Sequence, residues 1–162
     1  MSAAVSPIPP GYHTLTPHLI VSDAKKAAEF YQKAFGAVVR GIAHAPDGKV
    51  IHAEVKIGDS ILMFNDEIPS YGVVSPTTTK ASTCVTNHMY VEDADKVFAA
   101  ALAAGAKVIM PLQDQFWGDR YGTVEDPFGH HWSIATHIKD QTPEEMKVAM
   151  DEATAKMAAS HL

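Results

Sequence analysis

Cysteine is nearly absent from this chain of 162 residues, which holds only Cys84. An intramolecular disulfide is therefore excluded, and such sparse use fits a reducing, cytoplasmic compartment. Long apolar runs are missing as well. No stretch approaches the ~20 consecutive apolar residues that span a bilayer, and residues 1–10 lack the basic patch and apolar core of a secretory signal. Clustered positive charge is the third absence. The 13 Lys and Arg residues are scattered among 19 Asp and Glu, for a net charge of −6. With no basic stripe to neutralise phosphates, neither a nucleic-acid nor a membrane partner is expected.

What is present is an ordinary globular composition, 46% hydrophobic and 20% charged, and a repeat. Thr16, His18, Val21, Asp23 and Ala24 reappear in the same order as Thr86, His88, Val91, Asp93 and Ala94. Several identities in register, each set ahead of the same strand–helix–strand pattern, indicate internal duplication. Asp23 and Asp93 are suited to cap the helices that follow. Ala27, Phe30, Tyr31 and Ala34, and likewise Ala94, Val97, Phe98 and Ala101, give each helix one apolar face. Gly36 and Gly105 stand where a helix ends.

Three strand-like runs follow in each half, at about 37–44, 49–57 and 60–66 and at about 107–112, 120–125 and 130–137. They are punctuated by Pro46-Asp47-Gly48, Gly58-Asp59 and Asp126-Pro127-Phe128-Gly129. The predicted organisation is α+β, with two paired βαβββ modules forming a cupped mixed sheet, plus a C-terminal helix. Its parts are a Pro-rich segment at 1–11, a first module at 12–68, a linker at 69–84, a second module at 85–138 and the last helix at 139–162. Thr142, Pro143 and Glu145 spell a capping box for that helix. Its stripe of Met146, Met150, Ala153 and Met157 should pack on the domain or on a second subunit.

Alternation along the strands sends Leu19, Val21, Ile61, Met63, Trp132 and Ile134 under the helices. The opposite set is His18, Ile20, His52, Glu54, Leu62, Phe64, His88, Tyr90, His131, Ser133 and Ala135. Its mixture of apolar, aromatic and ionisable groups suits a pocket wall better than a core.

The duplicated pattern resembles the vicinal oxygen chelate superfamily, which includes glyoxalase I, bleomycin-resistance proteins, fosfomycin-resistance enzymes and extradiol dioxygenases. The segment 114–122, followed by Asp126-Pro127-Phe128-Gly129-His130, Trp132 and the ending Ala135-Thr136-His137, resembles the PhnB-like branch. The likeness runs from about Tyr12 to His137. It implies a homodimer and, in metal-using relatives, an open divalent-metal site. There a His or Gln from the first strand of each module joins an acid from the last strand. His18 and His88 match the histidines, but the acid positions fall on Ser133 and near Leu62.

A bound metal is therefore not favoured. If one is present, His18 and His88 would need Glu54 or Glu125 to complete the set. The expected function is a small-molecule-binding protein of the glyoxalase/bleomycin-resistance type without a catalytic metal. The alternative is a metal-dependent lyase or dioxygenase. Phe64, Tyr90, Phe116, Trp117 and Tyr121 are candidates to line the ligand site or to pack in core and loops. Arg120 either offers its guanidinium to an anionic ligand or pairs with Asp119 or Glu125. Asp126 belongs to a structural turn, and Cys84 has no neighbouring base to activate it.

Overall fold

The computed structural model describes residues 5–160, so residues 1–4 of the expected Pro-rich segment and residues 161–162 lie outside the described residues. The order is β1 (His18–Val21), α1 (Ala24–Phe35), β2 (Val38–His44), β3 (Val50–Ile57) and β4 (Ser60–Asp66). A one-turn α2 (Pro76–Thr79) follows, then β5 (Thr86–Tyr90), α3 (Ala94–Ala103), β6 (Lys107–Asp114), β7 (Asp119–Glu125), β8 (His131–His137) and α4 (Pro143–Ser160). The two halves fold alike. Each is a four-stranded mixed sheet, ordered β1-β4-β3-β2 and β5-β8-β7-β6, with its first strand parallel to its last. The architecture is thus α+β with two repeated βαβββ modules.

Local chemistry explains why each half starts as it does. Asp23 accepts from the Lys26 amide and Asp93 from the Lys96 amide, at 3.0 and 2.9 Å. Free N–H groups of each helix start are thereby satisfied. The last strand of each module adds a second cap. Asp66 Oδ1 accepts from the Ala24 amide and Thr136 Oγ1 from the Ala94 amide. Gly36 takes φ +64° and donates back to the Gln32 carbonyl, which ends α1.

No strand pair joins the two sheets among the described residues; the helix side does. Helix α1 packs on α3, and Phe35 and Tyr31 meet Trp132 with ring centroids 4.8 and 5.5 Å apart. The core beneath includes Leu19, Val21, Val55, Leu62, Phe64, Phe98, Val124 and Ile134. Asp126 fastens this layer. Its Oδ1 accepts from the Phe128 and His130 amides, and its Oδ2 from Trp132 Nε1 and the Tyr31 hydroxyl. Burial pushes its carboxyl up, while the donors from Trp132, His130 and Phe128 work against that shift. The turn residue of the sequence reading is therefore also a bridge between modules.

The structure reverses two expected faces. Phe64 and Leu62 lie under the helices, Phe64 fully buried against Tyr31 at 5.4 Å, and not on the opposite wall. The two-residue turn Gly58-Asp59 pairs Ile57 with Ser60, which forces Glu54 opposite Met63 and Ala53 opposite Phe64. Met63 and Ile61 thus share the face of Glu54.

At the C-terminus both arms of the capping box form. The Thr142 amide donates to Glu145 Oε2 at 2.9 Å, and the Glu145 amide to Thr142 Oγ1 at 3.2 Å. Met150 and Met157 nevertheless remain exposed. Helix α4 forms one wall of a groove through Ala149, Glu152, Ala153 and Lys156, with Phe116, Gly118, Ile138 and Gln141 also lining it. No helix among the described residues is long and apolar enough to cross a membrane.

Candidate functional site

Each module turns a polar face away from its helices. In the first, His18 stands opposite Met63, and Met63 opposite Glu54. His18 Nε2 meets Asn65 Oδ1 at 2.6 Å. Glu54 is held from both sides, Oε1 by His52 Nε2 at 2.9 Å and Oε2 by the Tyr12 hydroxyl at 2.5 Å. The His52 bond, then that from Tyr12, holds the Glu54 carboxyl below the usual range, and the same contact raises Tyr12. Arg40 sits 5.3 Å from the centre of the Tyr12 ring.

In the second module the corresponding row is His88, Ser133 and Thr123. His88 Nδ1 meets Ser133 Oγ at 2.7 Å. Tyr90 lies against His88 at 4.7 Å, His88 is parallel to Tyr121 at 6.0 Å, and Tyr121 meets Trp117 edge-on at 5.5 Å. Asp119 closes this loop of rings. Its Oδ2 accepts from Trp117 Nε1 and from the Tyr90 hydroxyl, both at 3.0 Å, and its Oδ1 faces His137 Nδ1 at 2.8 Å. The other His137 nitrogen reaches Asp140 at 3.0 Å. Burial tends to raise the Asp119 carboxyl, yet the bonds from His137, Tyr90 and Trp117 outweigh it and hold the group low. Asp119 in turn raises Tyr90 and, with Asp140, raises His137.

The loop that carries Trp117 is fixed by backbone geometry. Gly118 takes φ +97°, its carbonyl accepts from the Ile138 and Lys139 amides, and a Cβ there would run into the Lys139 carbonyl oxygen. Tyr90 is 65% exposed, and Trp117 and Tyr121 are half-buried, so the rings are open to a ligand. Phe116 touches Trp117 at 5.1 Å but also lines the groove beneath α4.

Arg120 is on the other side. Nε and Nη2 grip both oxygens of Asp95 on α3, and Nη1 reaches Asp114 at 2.9 Å. The guanidinium therefore neither lines the site nor pairs with Asp119 or Glu125. Strand alternation decides this: Arg120 is opposite Thr136, whereas Tyr121 is opposite Ala135. Glu125 pairs with His131 at 3.5 Å, two residues along the last strand from the Ser133 that stands opposite His88. Register also separates Glu125 from Glu54: Thr123, opposite Ser133, is the counterpart of Glu54. No hydrogen bond or ring contact joins the His18 group to the His88 group among the described residues. Asp119, His137 and Tyr12 are not among the site residues expected from the sequence. The only local signal was an acid two residues after Trp117.

The family model of the glyoxalase/bleomycin resistance protein/dioxygenase superfamily matches residues 12–134. The chain belongs to this superfamily. An uncharacterized protein of Mycobacterium bovis, Mb0911c, is 47% identical over 138 residues, 84% of this chain and 91% of its own length. TioX from Micromonospora sp. ML1 superposes with a TM-score of 0.62 at 30% identity, over 78% of this chain and 99% of TioX. The PhnB protein from Bacillus cereus shares the fold, with a TM-score of 0.60 at 21% identity over 76% of this chain and 99% of its own.

The metal site implied by the superfamily can be tested on its donors. Met63 and Ser133 stand opposite His18 and His88, where acids are required. Each histidine is engaged by a neutral side chain. Among the described residues no three His, Cys, Asp or Glu side chains are grouped to hold an ion. The residues present do not fit that metal set.

Proposed function

We propose that the protein binds a small organic molecule on the ring-lined face of the second module and that it does so without a catalytic metal. One observation carries this reading. Three aromatic side chains, Tyr90, Trp117 and Tyr121, share one partly exposed face, two of them held in place by a buried carboxylate, Asp119. Fixing Trp117 and Tyr90 in advance lowers the entropy lost when a ligand stacks on them. Rings of this size supply apolar contact together with offset or edge-on stacking. The lack of acids beside His18 and His88 supports a binding role over a metal-dependent lyase or dioxygenase.

The test uses N-phenyl-1-naphthylamine, a neutral aromatic dye that brightens in apolar surroundings. Saturable binding should brighten the dye and quench tryptophan emission, and the Trp117 share of that quenching should be missing in Trp117→Leu. Trp117→Leu should weaken binding by about 1–3 kcal/mol, the range for losing a buried aromatic anchor. Saturable binding that Trp117→Leu leaves intact would overturn the proposal.

A further inference from the structure

The charge of the face points to the kind of molecule it takes. Two carboxylates, Asp119 and Asp140, face a single imidazole, His137. The group therefore stays net negative even with His137 protonated. The guanidinium nearest in sequence, Arg120, is held on the opposite face by Asp95 and Asp114. Lys139 precedes Asp140 in the chain, but it lines the groove under α4 and its charge acts on Glu145. No Lys or Arg side chain bonds to Asp119 or Asp140 among the described residues.

Tyr90 and Trp117 border Asp119 directly and Tyr121 meets Trp117 edge-on; the faces of such rings attract cations through their quadrupoles. Tyr90 and Trp117 also donate to the same Asp119 oxygen. The carboxylate thus orients the rings that shield it from water. We infer that this face takes an organic cation, an ammonium carrying alkyl or aryl groups, rather than the anion that Arg120 would have suited. A quaternary ammonium needs no hydrogen-bond partner, which agrees with a site where the Tyr90 O–H and the Trp117 N–H are already spent on Asp119 and the Tyr121 hydroxyl accepts from Thr123. The inference rests on the proposed binding role and adds the sign of the ligand's charge.

Three probes of nearly one shape separate charge from shape: trimethylphenylammonium, neutral tert-butylbenzene and anionic benzenesulfonate. Binding is read from the indole N–H signals of the two tryptophans, assigned with Trp117→Phe. The ammonium should shift the Trp117 signal saturably and bind at least tenfold more tightly than either other probe. Asp140→Asn, an exposed change, should narrow that margin severalfold. Asp119→Asn should narrow it further where the variant keeps the native spectrum. Equal affinity for the three probes, or preference for the sulfonate, would overturn the cation inference while leaving the binding role intact. If the ammonium fails while N-phenyl-1-naphthylamine still binds through Trp117, the inference falls alone. If neither binds at Trp117, both fall.

Discussion

The Tyr31 hydroxyl donates to Asp126 Oδ2 at 3.1 Å, across 95 residues of sequence. Tyr31 is on the first helix of one module and Asp126 begins the last turn of the other. Both are buried, and Asp126 also anchors Trp132 and its own turn. Tyr31→Phe keeps the ring packing and removes only this donor. A buried hydrogen bond to a carboxylate is worth about 1.5–3 kcal/mol, so urea unfolding should show a loss of that order. A loss below about 0.5 kcal/mol would mean the hydroxyl does not tie the modules together.

Arg120→Ala separates structure from binding. Its partners Asp95 and Asp114 are largely exposed, and such pairs contribute about 0–1 kcal/mol. Stability should fall by no more than that, and affinity for N-phenyl-1-naphthylamine should be unchanged. A large loss of affinity with normal stability would place the guanidinium at the ligand after all.

The contacts of His137 set a pH dependence. Both ring nitrogens face carboxylate oxygens, an arrangement only the doubly protonated ring satisfies with two donors. Asp119, then Asp140, raises its pKa above the ordinary value. The contribution is therefore complete below the unfolded value of about 6.5 and disappears as pH rises through the higher folded value. Wild-type stability should decline across that window relative to His137→Ala. Identical pH profiles for the two proteins would show that the ring does not titrate against Asp119 and Asp140.

Metal content is the remaining test. Protein purified without chelator or a metal-binding tag should hold far less than one equivalent of zinc, nickel, manganese or iron. His18 and His88 lack an acid across the strand pair, and neutral imidazoles alone give a divalent ion no charge compensation. Close to one equivalent, lost in His88→Ala, would restore the metal-dependent alternative.

The helix starts, which depend on near neighbours in the chain, could be read from the sequence. The duplicated openings, the Asp23 and Asp93 caps and the Thr142–Glu145 box each involve groups within a few residues, so spacing and side-chain chemistry suffice. The histidine positions followed from the repeat, and the missing acids from the family pattern. Tertiary structure alone decided which carboxylates became hubs. Asp119 acquires its role from Tyr90 and His137, 29 and 18 residues away, and Arg120 finds Asp95 only because α3 packs beside β7. The side of the sheet on which Phe64 lies was fixed by hairpin register, and a one-residue error there reverses every side chain in the strand. Local propensity specifies elements; a side chain's face and distant partner exist only once the strands pair and the helices close over them.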